Sequence, residues 1–545
     1  MPKVSIIMPS LNVAPYIEEC IQSACRQTLT DIEILCIDAG STDGTLEILQ
    51  EFAKKDTRIR VLHSDVKSYG YQVNLGIKEA TGEYVAILET DDYVDASMYE
   101  TLYDAAVKNC VVVQRDAMAQ NDATPESTAI TKNNITINHC ADYVHADFDT
   151  LLLVRNISNN ISDDTHGSRC SDSCQEISAE MYDDTGCDSS VDMCDDDNHD
   201  ICIQRPTHIF PSDSANYNRL LDAHELPVLF QMDANIWSGI YKREFLLQNC
   251  ITLNETAGAA FQDIGFKLLV LSYATKILYI PYSGYRYRTQ REGCSTYNSN
   301  VLKYAYQEFD RLLYHTEIPK TKDCKHILQR MAVVFTTEYK KLILKSAGEN
   351  DHDFTGQYID PYYSWFREQF EKYMAADVII YEEINDCQRE SLRMLLENRA
   401  DFDAKVLKEA EQMTKKWDAL ADSLSSINSI ADTDSIDSLI PPTVVLVSFG
   451  ARGKEAFVQL LSRDVKVIAI CDNNERVREE NANFALPVLS VEDAVRQYQN
   501  AYFVVANKNY TKELETQLRG CGVKPDHIFC ELHRSIINSR SDMKN

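Results

Sequence analysis

Over the first 110 residues, short apolar runs alternate with amphipathic stretches. Residues 4–8, 33–37, 59–63 and 84–88 each read as a strand, a brief apolar run bounded by polar or turn residues. Between them, 15–27 sets Ile17, Cys20, Ile21 and Ala24 at helical spacing. Asp43 stands where a cap would precede Leu46, Leu49 and Phe52, and 71–80 forms a third helical pattern. Strand–helix alternation of this kind predicts a doubly wound α/β sheet, whose ligands bind beyond the carboxyl ends of the strands. Pro9, Asp38 and the run Glu89-Thr90-Asp91-Asp92 all stand at such ends. Three carboxylates in four positions repel one another unless water or a cation lies between them.

Beyond residue 110 the pattern changes. Residues 117–215 have little periodicity and much Asp, Ser and Cys, and are expected to be a disordered acidic insertion. Strand and helix patterns return from about 217 to 296, so 1–299 is read as one domain carrying that insertion. Residues 300–425 are mainly helical, 426–442 read as a linker, and 443–535 as a small Rossmann-like α/β domain. In that domain Ser448-Phe449-Gly450-Ala451-Arg452-Gly453 follows a strand, and Asp472 closes the next one. This approximates a dinucleotide fingerprint with Ser in place of the first Gly. A packing or assembly role is favoured over nucleotide binding.

Charge narrows the function classes. The 545 residues carry a net charge of −30, which excludes a polyanionic nucleic acid as the expected partner. Residues 160–200 concentrate that charge, with thirteen Asp and Glu against one Arg. No apolar run reaches the length of a membrane span, and the N-terminus lacks a signal-peptide pattern, so a cytoplasmic location is expected. The 17 cysteines then read as reduced thiols. Cys170, Cys174, Cys187, Cys194, His199 and Cys202 admit a zinc site, but they lack paired C-x-x-C spacing.

The motifs resemble a known family. "VSIIMPSLNVAPYIEECIQSACRQTLTDIEILCIDAGSTDGTLEIL" followed by "GEYVAILETDD" resembles the N-terminal half of family-2 glycosyltransferases, and the resemblance resumes over 230–296. It implies a GT-A-type mixed sheet and inverting transfer of a sugar from a nucleotide-sugar to a hydroxyl of a glycan or glycolipid. Surface polysaccharide or lipopolysaccharide synthesis is the expected setting. The resemblance also implies Mg²⁺ or Mn²⁺, because a hard cation bridging carboxylates and a diphosphate offsets the charge of the leaving group. Peripheral membrane association and a homo-oligomer are both compatible with it.

Residue by residue, the resemblance assigns Asp91 and Asp92 to the metal and Glu89 and Asp91 to the donor diphosphate. It assigns Pro9, Ser10, Asn12, Asp38, Gly40 and Ser41 to the nucleoside. Asn74 and the exposed Lys67 join the donor side, and Asp43 is read first as a helix cap. Arg288 pairs with the diphosphate, with Arg286 and Arg291 as rivals. Asp263 in "AAFQDIGFKLLV" is the general base that deprotonates the acceptor, and it also suits a helix N-terminus. Gln262 and Trp237 are assigned to the acceptor, though a buried structural tryptophan fits position 237 equally. Glu89, Ala39 and Val73 depart from the family pattern. They keep open a non-catalytic nucleotide-sugar-binding protein, with a nucleotidyltransferase as the other alternative.

Overall fold

A computed structural model describes residues 1–119, 141–154, 201–207, 209–210, 214–232, 235–258, 260–288, 298–318, 323–347, 354–375, 386–426, 443–461, 463, 465–479, 481, 486–507 and 510–530. Cys170, Cys174, Cys187, Cys194, His199 and Arg291 lie outside them. The chain divides into two compact units, Met1–Leu151 with Gln204–Phe402, and Leu152–Ile203 with Asp403–Asn545.

The first unit is organised by a mixed sheet. Its strands are β1 (Val4–Ser10), β2 (Ile32–Asp38), β3 (Ile59–His63), β4 (Tyr84–Ile87), β5 (Tyr93–Val94), β6 (Tyr143–Val154), β7 (Ile201–Thr207), β8 (Leu220–Leu221), β9 (Gly239–Lys242) and β10 (Ile277–Arg288). The main path runs β3-β2-β1-β4-β9-β6-β10-β5. β1 and β2 are buried at every position, as expected for parallel strands covered on both faces. They pair in register from Val4↔Ile32 to Ser10↔Asp38, so both strands end at the same level. β4 lies parallel on the other side of β1, with Ile7 opposite Ile87. β9 then reverses direction against β4 and β6. β5 pairs antiparallel with β10, setting Val94 opposite Tyr285 and Tyr93 opposite Arg286. This pairing brings residues nearly 200 positions apart to one sheet end.

Helices α1 (Ala14–Cys25), α2 (Thr45–Lys55), α3 (Tyr69–Glu79), α4 (Met98–Ala119), α5 (Arg243–Gln248) and α6 (Gln262–Tyr273) connect these strands. The predicted apolar stripe of α1, Ile17, Cys20, Ile21 and Ala24, is buried and joins Ile6, Met8, Ile34 and Cys36 in one core. Residues 143–154 and 201–207, inside the stretch expected to be an insertion, are strands β6 and β7. The apolar positions Tyr143, Val144 and Ala146 explain this, since each is fully buried. The acidic residues 155–200 lie outside the described residues.

The helical region starts with α7 (Val301–Tyr314), α8 (Cys324–Ser346), α9 (Phe354–Tyr358), α10 (Asp360–Ala375) and α11 (Asp386–Glu397), and ends with α12 (Arg399–Ser426). Phe335 and Phe366 stack at 4.3 Å in its core. In the second unit, β11 (Val444–Val447), β12 (Val467–Cys471), β13 (Val488–Leu489), β14 (Tyr502–Val505) and β15 (Ile528–Phe529) form a parallel sheet ordered β13-β12-β11-β14-β15. It carries α13 (Ala451–Leu461), α14 (Glu475–Glu479), α15 (Val491–Gln497) and α16 (Thr511–Gly520). The end of α12 packs Trp417, Leu420 and Leu424 onto this sheet. Asp472 accepts from the Phe449 amide at 2.8 Å and the Asn474 amide at 2.9 Å. Here the fingerprint acid holds its own loops together.

Candidate active site

β1 and β2 end level at Ser10 and Asp38, and the first cluster there surrounds Asp38. Its Oδ2 accepts from the amides of Gly40 (2.8 Å) and Ser41 (3.0 Å), and Gly40 takes the left-handed φ of +78° that this turn requires. Asp38 is 1% exposed, yet its Oδ1 has no hydrogen-bond partner. A buried carboxylate oxygen without a donor is costly, so the position suits a donor brought by a ligand. Asn12, at φ 53°, latches the neighbouring loop: its amide donates to Ser41 Oγ (3.0 Å), and its Oδ1 accepts from Thr42 N (2.9 Å).

Asp43 is structural, although α2 takes Gly44 rather than Asp43 as its N-cap residue. Its carboxylate accepts from Ala14 N (2.9 Å) at the start of α1, and from Thr45 N (3.1 Å) and Thr45 Oγ1 (2.7 Å) at the start of α2. Partial burial pushes this carboxyl up, but the bonds from Thr45 and Ala14 outweigh it and hold the group below its ordinary range.

The second cluster follows β4. Thr90 Oγ1 donates to the Pro9 carbonyl at 2.8 Å, which locks the acidic loop onto the end of β1. Asp91 is 6% exposed and Asp92 is fully buried. Asp92 Oδ2 accepts from the Tyr285 hydroxyl (2.9 Å), and Oδ1 accepts from Arg288 N (2.8 Å). Burial first, then the neighbouring Asp91 and Glu89 carboxylates, push Asp92 well above the usual carboxylate range. Tyr285 also accepts from Glu89 N at 3.2 Å. The Arg288 guanidinium donates to the Asp91 carbonyl at 2.8 Å, pairs with Glu19 and lies over the Tyr93 ring at 4.8 Å. Arg286 instead pairs with Asp95 at 2.8 Å. Among the described residues, no group of three or more His, Cys, Asp or Glu forms a metal cage.

The third cluster lies at α6. Asp263 occupies the first turn, with Phe261 before it in the left-handed region at φ 64°. Tyr69 connects this turn to the acidic loop: its hydroxyl donates to Glu89 Oε1 at 2.8 Å, and its amide donates to the Gly258 carbonyl at 3.0 Å. Burial, then Glu89, then Asp263 raise the Tyr69 hydroxyl well above its ordinary value, which places it within the field of both carboxylates.

Several predicted residues serve the scaffold. Asn74 donates to the Leu253 carbonyl and Glu255 Oε1, and accepts from Leu253 N, all at 2.9 Å. It clamps the 250s loop. Gln262 is buried, and its Nε2 holds the Thr256 carbonyl and hydroxyl at 2.9 Å. Trp237 is 6% exposed and stacks with Tyr285 at 4.2 Å and Tyr287 at 5.0 Å. The equal alternative of a buried structural tryptophan describes its contacts. Lys67 is exposed, and its carbonyl accepts from Gly258 N.

Sequence reasoning missed Gln72, Tyr69 and Tyr285. Gln72 is 4% exposed and donates to the carbonyls of Ser10 (2.9 Å) and Ile37 (2.6 Å), tying the ends of β1 and β2 together. Its signal was a polar residue within the buried stripe Val73, Gly76 and Ile77 of α3. Tyr69 and Tyr285 stand close to Lys67 and Arg288, but those charged neighbours drew the reading.

The model of the family "Glycosyl transferase family 2" matches residues 5–173. "Uncharacterized glycosyltransferase EpsJ" of Bacillus subtilis is 46% identical over 109 residues, 20% of this chain and 32% of that protein. Chondroitin synthase of Escherichia coli is 38% identical over 104 residues, 19% of this chain and 15% of that protein. The chain spans about a third or less of the length of the curated relatives it matches. Among solved structures, S. aureus TarS 1-349 aligns with a TM-score of 0.41 and 15% identity, covering 75% of this chain and 91% of that one. No helix among the described residues is long and apolar enough to cross a membrane. The N-terminal part of this chain, carrying the Asp38 and Glu89–Asp92 strand ends, is thus similar to glycosyltransferases of family 2.

Proposed function

We propose that the chain transfers a sugar from a nucleotide-sugar to a hydroxyl of a glycan or glycolipid, with inversion and with a divalent cation, in polysaccharide synthesis. One observation carries this reading. The partnerless Asp38 oxygen and the acidic loop meet at the ends of β1, β2 and β4, where Thr90, Pro9 and Gln72 lock the loops together. Asp38 with the Pro9–Asn12 loop, Gly40 and Ser41 suits a nucleoside.

The residues fit a cation held mainly by substrate. Mg²⁺ commonly takes one or two carboxylates and completes its shell with phosphate oxygens and water, so a protein cage is not required. Asp91 would supply the carboxylate. Asp92, whose two oxygens already accept from Tyr285 and Arg288, would orient the loop from behind. Bound there, the cation would offset the charge of the departing diphosphate. Arg288 is held by Glu19 and the Asp91 carbonyl at the same rim and would add cationic charge toward that diphosphate.

Asp263 is the base in this reading. Inverting transfer needs a carboxylate that takes the proton of the acceptor hydroxyl as its oxygen attacks the anomeric carbon. Tyr69, bonded to Glu89 and within the field of Asp263, fixes the base relative to the donor loop.

The test is turnover. The purified chain, Mn²⁺ and a panel of nucleotide-sugars are incubated with candidate glycan acceptors. The reading expects one donor to release nucleoside diphosphate, EDTA to stop release, and the product to have the anomeric configuration opposite to the donor's. Metal-independent release or retained configuration would overturn the corresponding part. A protein that binds no nucleotide-sugar in calorimetry would overturn the whole.

A further inference from the structure

Behind the first turn of α6 lies a carboxyl that no step above uses. Glu308 of α7 is 1% exposed, and neither of its oxygens has a hydrogen-bond partner. It packs against the base's own helix: a Cβ built on Gly265 would come within 2.0 Å of Glu308 Oε2 and 4.0 Å of Arg311 Nη1. A buried carboxyl so poorly supplied with donors keeps its proton, because the charged form would lose its hydration with little compensation. Burial accordingly raises Glu308 to about 8. The Asn254 side chain and Arg311 ease this, while Asp263 adds to it.

The surroundings make that proton consequential. The charged groups facing Glu308 are Arg311 on its own helix and Asp263 on α6. Arg311 faces Glu255 as well, and its Nη1 is buried without a partner. Its Nη2 meanwhile donates to the Thr252 carbonyl (2.8 Å) and hydroxyl (2.9 Å). Thr252 begins the loop that seats Asp263, which Asn74 holds at Leu253 and Glu255 and Gln262 holds at Thr256. An ionised Glu308 would be the strongest acceptor within reach of Arg311.

We propose that Glu308 is a positioning residue for Asp263: a proton-bearing carboxyl against the first turn of α6, whose ionisation draws Arg311 off Thr252 and loosens the loop that seats the base. The inference rests on Asp263 as the base, and it gives transfer an upper pH limit set by a residue that never touches substrate.

Hydrogen exchange of the full chain tests it without any donor. Wild type, Glu308→Gln and Glu308→Met are compared at pH 6.5 and pH 9. At pH 6.5 all three should protect 252–258 equally. At pH 9 the wild type should exchange that segment severalfold faster than either variant, since about ten molecules in eleven would then carry the charge. Equal exchange of wild type and both variants at pH 9 would overturn the proposal. Turnover with the donor found above separates this from the base assignment. Wild type should lose activity above about pH 8 while Glu308→Gln keeps it, and superimposable profiles would overturn the positioning role. Wild-type rates from Asp263→Asn would instead overturn Asp263 as base, and would leave the exchange result standing.

Discussion

Two tyrosines on one strand offer a controlled comparison. Tyr279 and Tyr285 both lie on β10 and both are fully buried. The Tyr285 hydroxyl donates to Asp92 Oδ2 and accepts from Glu89 N, whereas the Tyr279 hydroxyl has no partner. Tyr285→Phe keeps the ring against Trp237 and removes one oxygen. It strands a buried carboxylate oxygen and a main-chain amide, each worth about 1–3 kcal/mol, so a loss of about 3 kcal/mol is expected. In a unit of about 350 residues that corresponds to a fall in Tm of about 4 °C by calorimetry. Tyr279→Phe removes a hydroxyl that was buried unsatisfied and should be neutral or stabilising by about 1 kcal/mol. Equal losses for the two variants would refute the reasoning, because ring packing rather than the hydroxyl network would then be holding the acidic loop.

Three further outcomes follow from the scaffold. Asp43→Asn should cost about 1 kcal/mol at neutral pH, kept small by solvent exposure. The folded state holds Asp43 below its ordinary value of 3.8, so this stability is present above about pH 4 and lost as pH falls further. Denaturant midpoints of the variant and wild type should therefore converge in acid. Gly265→Ala forces a methyl onto Glu308 and should destabilise by about 1–3 kcal/mol, read as a lowered denaturant midpoint. Asn74→Ala leaves the Leu253 amide and carbonyl unpaired and should cost about 1–3 kcal/mol. Nucleotide affinity measured on the folded variant should stay at the wild-type value.

The sequence made the first four strands legible because parallel strands buried on both faces leave uninterrupted apolar runs, as in residues 4–8 and 33–37. β6 was not legible. Its Tyr143, Val144 and Ala146 core positions sit beside a run of Asp and Ser whose composition dominated the reading. The acids of the site were legible as motifs, but their partners were not. Tyr285 reaches Asp92 only because β5 pairs with β10, a contact across 193 positions that local pattern does not encode. Asn74 and Trp237 show another limit: residue type suggested ligand contact, and the fold adds scaffold contacts for both that the local pattern does not encode. Asp43 was read correctly as structural because Asp at the start of a helix has a local job.

The most direct measurement of the central claim is the rate of nucleoside diphosphate release at saturating donor, acceptor and Mn²⁺ for Asp263→Asn beside wild type, with donor binding followed by calorimetry in the same samples. The account predicts wild-type donor binding and release slower by about 10²–10⁴-fold. Release at the wild-type rate by Asp263→Asn would contradict it.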